Sequence, residues 1–204
     1  MADAWIKFCG CESWADVALA SEAGADAFGM IFAPSPRRIS MEAASEIARH
    51  ALTIEPVAVF VNPDDALVEE VRALFPAARL QFSGDEPPDF VSRFGERAIK
   101  AIHVDPHATL VAERAGRFPE ATLLLDSRQD GLAGGTGTSF PWEHAIPLAR
   151  ERRIVVAGGL NPENVAECVV RVRPYGVDVR SGIESDDRKD LEKMVAFVRA
   201  VRDA

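Results

Sequence analysis

Long runs of basic residues are missing from this chain of 204 residues, whose formal net charge is −9 at neutral pH. With no run of Lys or Arg to track a phosphodiester backbone, nucleic acid is not expected as a partner. A small anionic substrate is not excluded, because a local site can be positive on an acidic protein. No apolar run approaches the ~20 residues of a membrane helix, so no membrane span is expected. The start has no basic stretch followed by an apolar one, so no secretory signal is expected. Cysteine is scarce and odd in number: Cys9, Cys11 and Cys168. That argues against a disulfide framework and for free thiols in a reducing cytoplasm. Cys9 and Cys11 form a C-x-C pair with no matching Cys or His pair, which is a poor zinc signature. His50, His103, His107 and His144 are scattered; His50 and His144 read as helix-surface residues and His103 as a strand residue. None of them is assigned a ligand role. Linkers, low-complexity tracts and charge blocks are missing too, so residues 1–204 read as one domain.

Short apolar runs alternate with longer amphipathic stretches. The runs are Trp5 to Cys9, Ala27 to Phe32, Val57 to Val61, Arg79 to Phe82, Ala98 to Val104, Thr122 to Asp126, Ile154 to Ala157 and Gly176 to Val179. Each has strand length and most are rich in Val, Ile, Leu or Phe. Between them lie helix signals. Ser13 precedes one helical stretch, with Asp16 three residues on and Gly24 as a stop. Ser40 can cap the stretch through Ala51, and "NPDD" at Asn62 and "NPEN" at Asn161 each predict Asn at the cap and Pro at the first helical position. Leu191, Met194, Val195, Val198 and Val201 follow the spacing of one helical face. The stretch between Val104 and Thr122 has the weakest helix signal. Strands alternating with helices imply a parallel sheet joined by crossovers. The fold class expected is α/β, a single closed (β/α)8 barrel, with a doubly wound open sheet as the alternative.

In such a barrel the active site lies where strands end and helices have yet to begin. Cys9 ends the first strand and Asp126 the sixth. "AGGTG" from Ala133, "AGGL" from Ala157 and "RSGIE" from Arg180 follow strands six, seven and eight. Backbone N–H groups at such glycine turns can bind a phosphate. Gly135, Gly137, Gly158, Gly159, Ser181 and Gly182 are the candidates. Asp126 closes the apolar run "LLLD", as a cap or ion-pair partner, or as a general acid kept protonated by partial burial. Cys9 is an inert filler or a reactive thiol; Lys7, two residues before it, leaves the strand on the same face, and its ammonium is expected to lower the thiol pKa. Arg37 and Arg38 overhang the mouth, solvated or clamping a carboxylate.

"KFCG" at Lys7, "AGADAFGMIFAPSPRRIS" from Ala23, "VAVFVNP" from Val57, "GDE" at Gly84, "LLLD" at Leu123, "GGTGTSFPW" from Gly134, "VVAGGLNPENV" from Val155 and "GVDVRSGIE" from Gly176 together resemble phosphoribosylanthranilate isomerase. They run in that family's order over nearly the whole chain. The resemblance implies a (β/α)8 barrel of tryptophan biosynthesis that performs an Amadori rearrangement without cofactor or metal. It implies Cys9 as base, Asp126 as acid and Arg37 as the anthranilate carboxylate clamp, with Lys7 counted beside Arg37 among the substrate-binding residues. It implies a small-molecule substrate and a monomer or homodimer. The sequence departs from the family at Ser83, where a histidine is usual, at Arg180, where a serine is usual, and at Pro141, where an aspartate is usual. Arg180 is left with two expectations, a phosphate contact or an outward position. The alternatives are another sugar-phosphate enzyme on the same barrel, which would need metal ligands or a catalytic lysine with carboxylates at the strand ends, and a catalytically silent phosphate-binding barrel, which would have no use for both Cys9 and Asp126.

Overall fold

The structure, a computed structural model, describes residues 4–104, 111–127 and 141–204. The elements in chain order are β1 (Trp5–Cys9), α1 (Trp14–Ala23), β2 (Ala27–Ile31), α2 (Met41–Ile47), β3 (Glu55–Phe60), α3 (Asp65–Leu74), β4 (Arg79–Phe82), α4 (Pro88–Ser92), β5 (Ala98–Val104), α5 (Val111–Gly116), β6 (Thr122–Ser127), α6 (Ala145–Glu151), β7 (Ile154–Val156), α7 (Val165–Val172), β8 (Gly176–Val179), the two-residue strands β9 (Glu184–Ser185) and β10 (Arg188–Lys189), and α8 (Leu191–Arg202). Strands β1 to β8 pair in parallel in chain order, and β8 returns to β1. The sheet is therefore closed, and the open doubly wound alternative falls.

Two apolar layers hold the barrel. Alternate residues of each strand point inward, where Ala27, Val57, Ile99, Leu124 and Val155 fill the interior. The other set meets the helices. There Phe32, Phe60 and Phe82 stack in series at 5.8 and 6.0 Å, and Phe8 of β1 meets Phe197 of α8 edge-on at 5.9 Å. Each such fully buried side chain contributes about 1.5–3 kcal/mol. At the amino-terminal end of the barrel, Arg79 donates to the Thr122 hydroxyl at 2.6 Å and lies over the Trp5 ring, so that end is plugged. This leaves the carboxyl ends of the strands as the open face.

Local signals explain several helix ends. Ser13 and Asp16 form a reciprocal capping box on α1, and Gly24 stops that helix at φ 89°. Ser40 caps α2, but the helix ends at Ile47 rather than Ala51. Asn62 does not cap α3. Asp64 does, its carboxylate accepting from the Leu67 N–H at 2.8 Å, while Asn62 turns left-handed at φ 47° and accepts from the Asp85 N–H. Asn161 likewise accepts from the N–H groups of Glu163 and Asn164, capping a turn one step before α7. On α8 the inward face is Met194, Phe197 and Val201, and Val195 is exposed. A two-residue turn at Asp186 and Asp187, both with φ near 50–60°, folds β9 back on β10.

Candidate active site

Strand β1 delivers Lys7 and Cys9 to the interior because both lie on its inward face. Cys9 pairs with Gly29 of β2, and a Cβ on Gly29 would stand 2.9 Å from Lys7 Cε and 3.0 Å from Cys9 Sγ. A glycine in mid-strand here is the space that both side chains occupy. Lys7 has none of its surface exposed, and its ammonium donates to Asp178 Oδ1 of β8 at 2.8 Å. Lys7, expected among the substrate-binding residues, is thus paired with Asp178 and set beside the neighbouring thiol. Burial works against the Lys7 charge, but Asp178 and Cys9 outweigh it and hold the ammonium above its ordinary range.

Cys9 is buried, with 8% of its surface exposed. Its thiol is pushed up, not down. Burial is the largest cause, Asp178 adds to it, and Lys7 and Lys189 pull back without prevailing. The expected effect of Lys7 on the thiol has the right sign and is too small to decide the outcome. Lys189, on β10, also donates to the Cys9 carbonyl at 2.6 Å and pairs with Glu184 at 2.8 Å, which fixes the backbone on which the thiol stands. Cys11 and Cys168 are buried, and burial pushes both thiols up to about 12, so neither is reactive.

Asp126 stands at the end of β6 beside His103 of β5. Enclosure is the largest influence on its carboxyl, which rises to about 6; Asp178 also raises it, while His103, Arg180 and Lys7 pull it down. A carboxyl so enclosed keeps its proton closer to neutrality than a solvated one does. Cys9 and Asp126 both feel Lys7 and Asp178, so the two groups share one electrostatic neighbourhood inside the barrel mouth.

The glycine loops approach this pair. Gly158 and Gly159 both have positive φ, at 83° and 67°. A Cβ on Gly158 would strike Ser127 Oγ at 2.1 Å and Asp126 Oδ1 at 2.8 Å, and one on Gly182 would strike the Leu160 carbonyl at 2.0 Å. The loops after β7 and β8 thus approach each other and Asp126. Ser181 and Gly182 lie in a single 3-10 turn there. Gly135 and Gly137 lie outside the described residues, as does His107. The stem of Arg180 lies against Gly10 beside Arg37, and its charge reaches Asp126.

Arg37 is already engaged. Its guanidinium donates to both Glu184 carboxylate oxygens at 3.3 and 3.4 Å, and to the Asp187 carbonyl at 2.6 Å. Burial pushes Glu184 up, but hydrogen bonds from Arg37 and Lys189 outweigh it and hold that carboxyl below its usual range. The sequence reading missed this hairpin, and with it Glu184 and Lys189. It also missed Asp178, although a carboxylate inside the apolar strand "GVDV" carries the same signal as Asp126 in "LLLD". A second buried pair, Lys100 and Glu86 at 2.9 Å, ties β5 to the loop after β4; Glu86 accepts there from the N–H groups of Asn62 and Gly84. Among the described residues no three of His, Cys, Asp and Glu gather to hold a metal ion, and no helix is long and apolar enough to cross a membrane.

Known proteins resemble this chain in sequence and in fold. Residues 6–200 match the family model described as N-(5'phosphoribosyl)anthranilate (PRA) isomerase. The N-(5'-phosphoribosyl)anthranilate isomerase of Desulforudis audaxviator is 40% identical over 98% of this chain and 98% of its own. The crystal structure of phosphoribosyl anthranilate isomerase from Thermotoga maritima superposes with a TM-score of 0.88 at 33% identity, covering 98% of this chain and 100% of that one. A structure of such an isomerase in complex with reduced 1-(o-carboxyphenylamino)-1-deoxyribulose 5-phosphate gives a TM-score of 0.85 at 32% identity, with 98% and 100% coverage. Matched along nearly its full length in both sequence and fold, the chain belongs to the N-(5'-phosphoribosyl)anthranilate isomerase family.

Proposed function

We propose that this protein converts N-(5'-phosphoribosyl)anthranilate into 1-(2-carboxyphenylamino)-1-deoxyribulose 5-phosphate, an aldose-to-ketose isomerisation in tryptophan biosynthesis that needs neither cofactor nor metal. Asp126 is the general acid. It gives its proton to the ribose ring oxygen as the C1'–O bond breaks, and the anilino nitrogen lone pair forms a protonated Schiff base. Cys9, as thiolate, then removes the proton from C2'. The C–H electron pair becomes a C1'–C2' double bond, the iminium electrons return to nitrogen, and the enolamine relaxes to the aminoketone.

The observation that carries this assignment is the common neighbourhood of Cys9 and Asp126, both facing the Lys7–Asp178 pair at the mouth. The backbone of Gly158, Gly159, Ser181 and Gly182 holds the phosphate, with Gly135 and Gly137 assigned to the same task, and this fixes the ribose between acid and base. Lys7 acts from behind the thiol. The test is turnover of phosphoribosylanthranilate, generated in situ because it is labile and followed by loss of anthranilate-type fluorescence. Turnover is expected without added metal and unchanged by chelator; a folded protein with no turnover would overturn the reading.

Arg37 clamps the anthranilate carboxylate, displacing Asp187, whose side chain is 94% exposed, from the guanidinium. A charge-assisted pair of this kind contributes about 1.5–3 kcal/mol. Arg37→Ala is therefore expected to raise KM about 10–100-fold with a smaller change in kcat. Steady-state kinetics check it, and an unchanged KM would count against the clamp.

A further inference from the structure

His103 has no part in the roles above. It is the Cα partner of Asp126 across the β5–β6 pairing. The alternation that turns Ile99 and Ala101 into the barrel turns His103 inward as well, so the two side chains are neighbours on one face. The imidazole is anchored at one end, with Nε2 3.1 Å from the Ser83 carbonyl oxygen. A carbonyl only accepts, so Nε2 carries the proton there. Nδ1 is enclosed and has no hydrogen-bond partner among the described residues. An enclosed nitrogen without a partner costs free energy until something meets it.

Asp126 is faced by Lys7 from β1, by Asp178 and Arg180 from β8 and the loop after it, and by His103 from β5. Of these charges, that of His103 acts most strongly on it. Around His103 itself, β4 offers the Ser83 carbonyl, and Arg114 of α5 donates to the His103 backbone carbonyl at 3.2 Å. The Lys100–Glu86 pair lies on the other face of β5, with the Lys100 ammonium over the Phe118 ring.

We propose that His103 is a positioning residue of this site, an imidazole that orients the Asp126 carboxyl and steadies the carboxylate left when Asp126 gives up its proton. This rests on the assignment of Asp126 as the acid. Held at Nε2 by Ser83, the ring presents Nδ1 to the Asp126 carboxyl as a hydrogen-bond partner. His103 makes and breaks no bond to the substrate.

Two substitutions separate this role from a structural one. His103→Gln keeps a donor for the Ser83 carbonyl and cannot carry charge, whereas His103→Lys keeps a positive charge. Asp126 is titrated by 13C NMR of protein labelled at the aspartate carboxyls, its signal identified by loss in Asp126→Asn, and kcat/KM is recorded against pH. In His103→Gln both the Asp126 midpoint and the acid limb of the rate are expected to move up by about 1 pH unit, as for loss of one nearby opposite charge. In His103→Lys both are expected at or below their position in the parent protein. Midpoints that stay put in both variants, or rise in both, would overturn the proposal. An NMR midpoint that moves while the rate limb does not would support the coupling and count against Asp126 as the acid.

Discussion

Asp126→Asn is expected to lose turnover by about 10²–10⁴-fold and yet to be more stable than the parent protein at neutral pH. On the proposed mechanism, the loss follows from removing the proton that opens the ribose ring. The gain follows from the enclosure that makes Asp126 an acid. A carboxyl raised to about 6 binds its proton more tightly in the folded chain than in the unfolded one. The stability this contributes is complete below about 3.9 and is lost as pH rises through about 6. At pH 7 the enclosed carboxylate therefore costs the fold at most about 3 kcal/mol, a cost that asparagine does not carry. Denaturant unfolding at pH 7 and pH 4 checks it: the variant's advantage should appear at the first and shrink at the second. An Asp126→Asn protein that is less stable at pH 7 would sink the argument.

Cys9→Ser should lose turnover on the same scale, and the pH dependence ties the two groups together. Burial pushes the thiol above its ordinary value, so the acid loses its proton at a lower pH than the base does. The form with Asp126 protonated and Cys9 ionised is then a minor one. From about 6 upward, each unit of pH costs tenfold in the acid and returns tenfold in the thiolate, so kcat/KM is flat until the thiol titrates. In Asp126→Asn only the thiolate term survives. Its residual activity should climb about tenfold per unit over the same range, with no plateau.

Much of this was legible in the residues, for reasons that also mark the limit. Eight apolar runs could become strands, and alternation then decided which side chains faced inward, so Cys9 and Asp126 were visible as rim groups before any coordinates. What alternation does not reveal is who meets whom across the barrel. Lys7 and Asp178 lie 171 residues apart, and only closure of β8 onto β1 brings them together. The fate of the thiol was misjudged for the same reason. A lysine two residues away is plain in sequence, but the degree of burial is a property of the closed barrel, and burial prevailed. The β9–β10 hairpin was invisible because "ESDDRK" has neither apolar alternation nor glycine. His103 read as an ordinary strand residue because its neighbour Asp126 lies on another strand.

Replacing Lys7 with methionine tests whether the buried ion pair serves the fold, the thiol or both. Lys7→Met leaves Asp178 as a carboxylate with 8% exposure and no cation on it, which is expected to cost about 3–5 kcal/mol. For a domain of this size that lowers Tm by roughly 10 °C, measurable by calorimetry. The ammonium, held above its ordinary range, is fully charged at neutral pH, so the penalty should be the same from pH 6 to 8. Adding Asp178→Leu removes the stranded charge and should return most of the stability, because an apolar pair of similar volume can replace a buried ion pair. Turnover should not return with it. The double variant also loses the upward push of Asp178 on the Cys9 thiol, but the downward pull of Lys7 is the larger of the two, so its alkaline rise in kcat/KM should still move to higher pH. If stability and turnover recovered together, Lys7 would be a piece of core packing, and the thiolate would owe its existence to Lys189 or to the bound substrate instead.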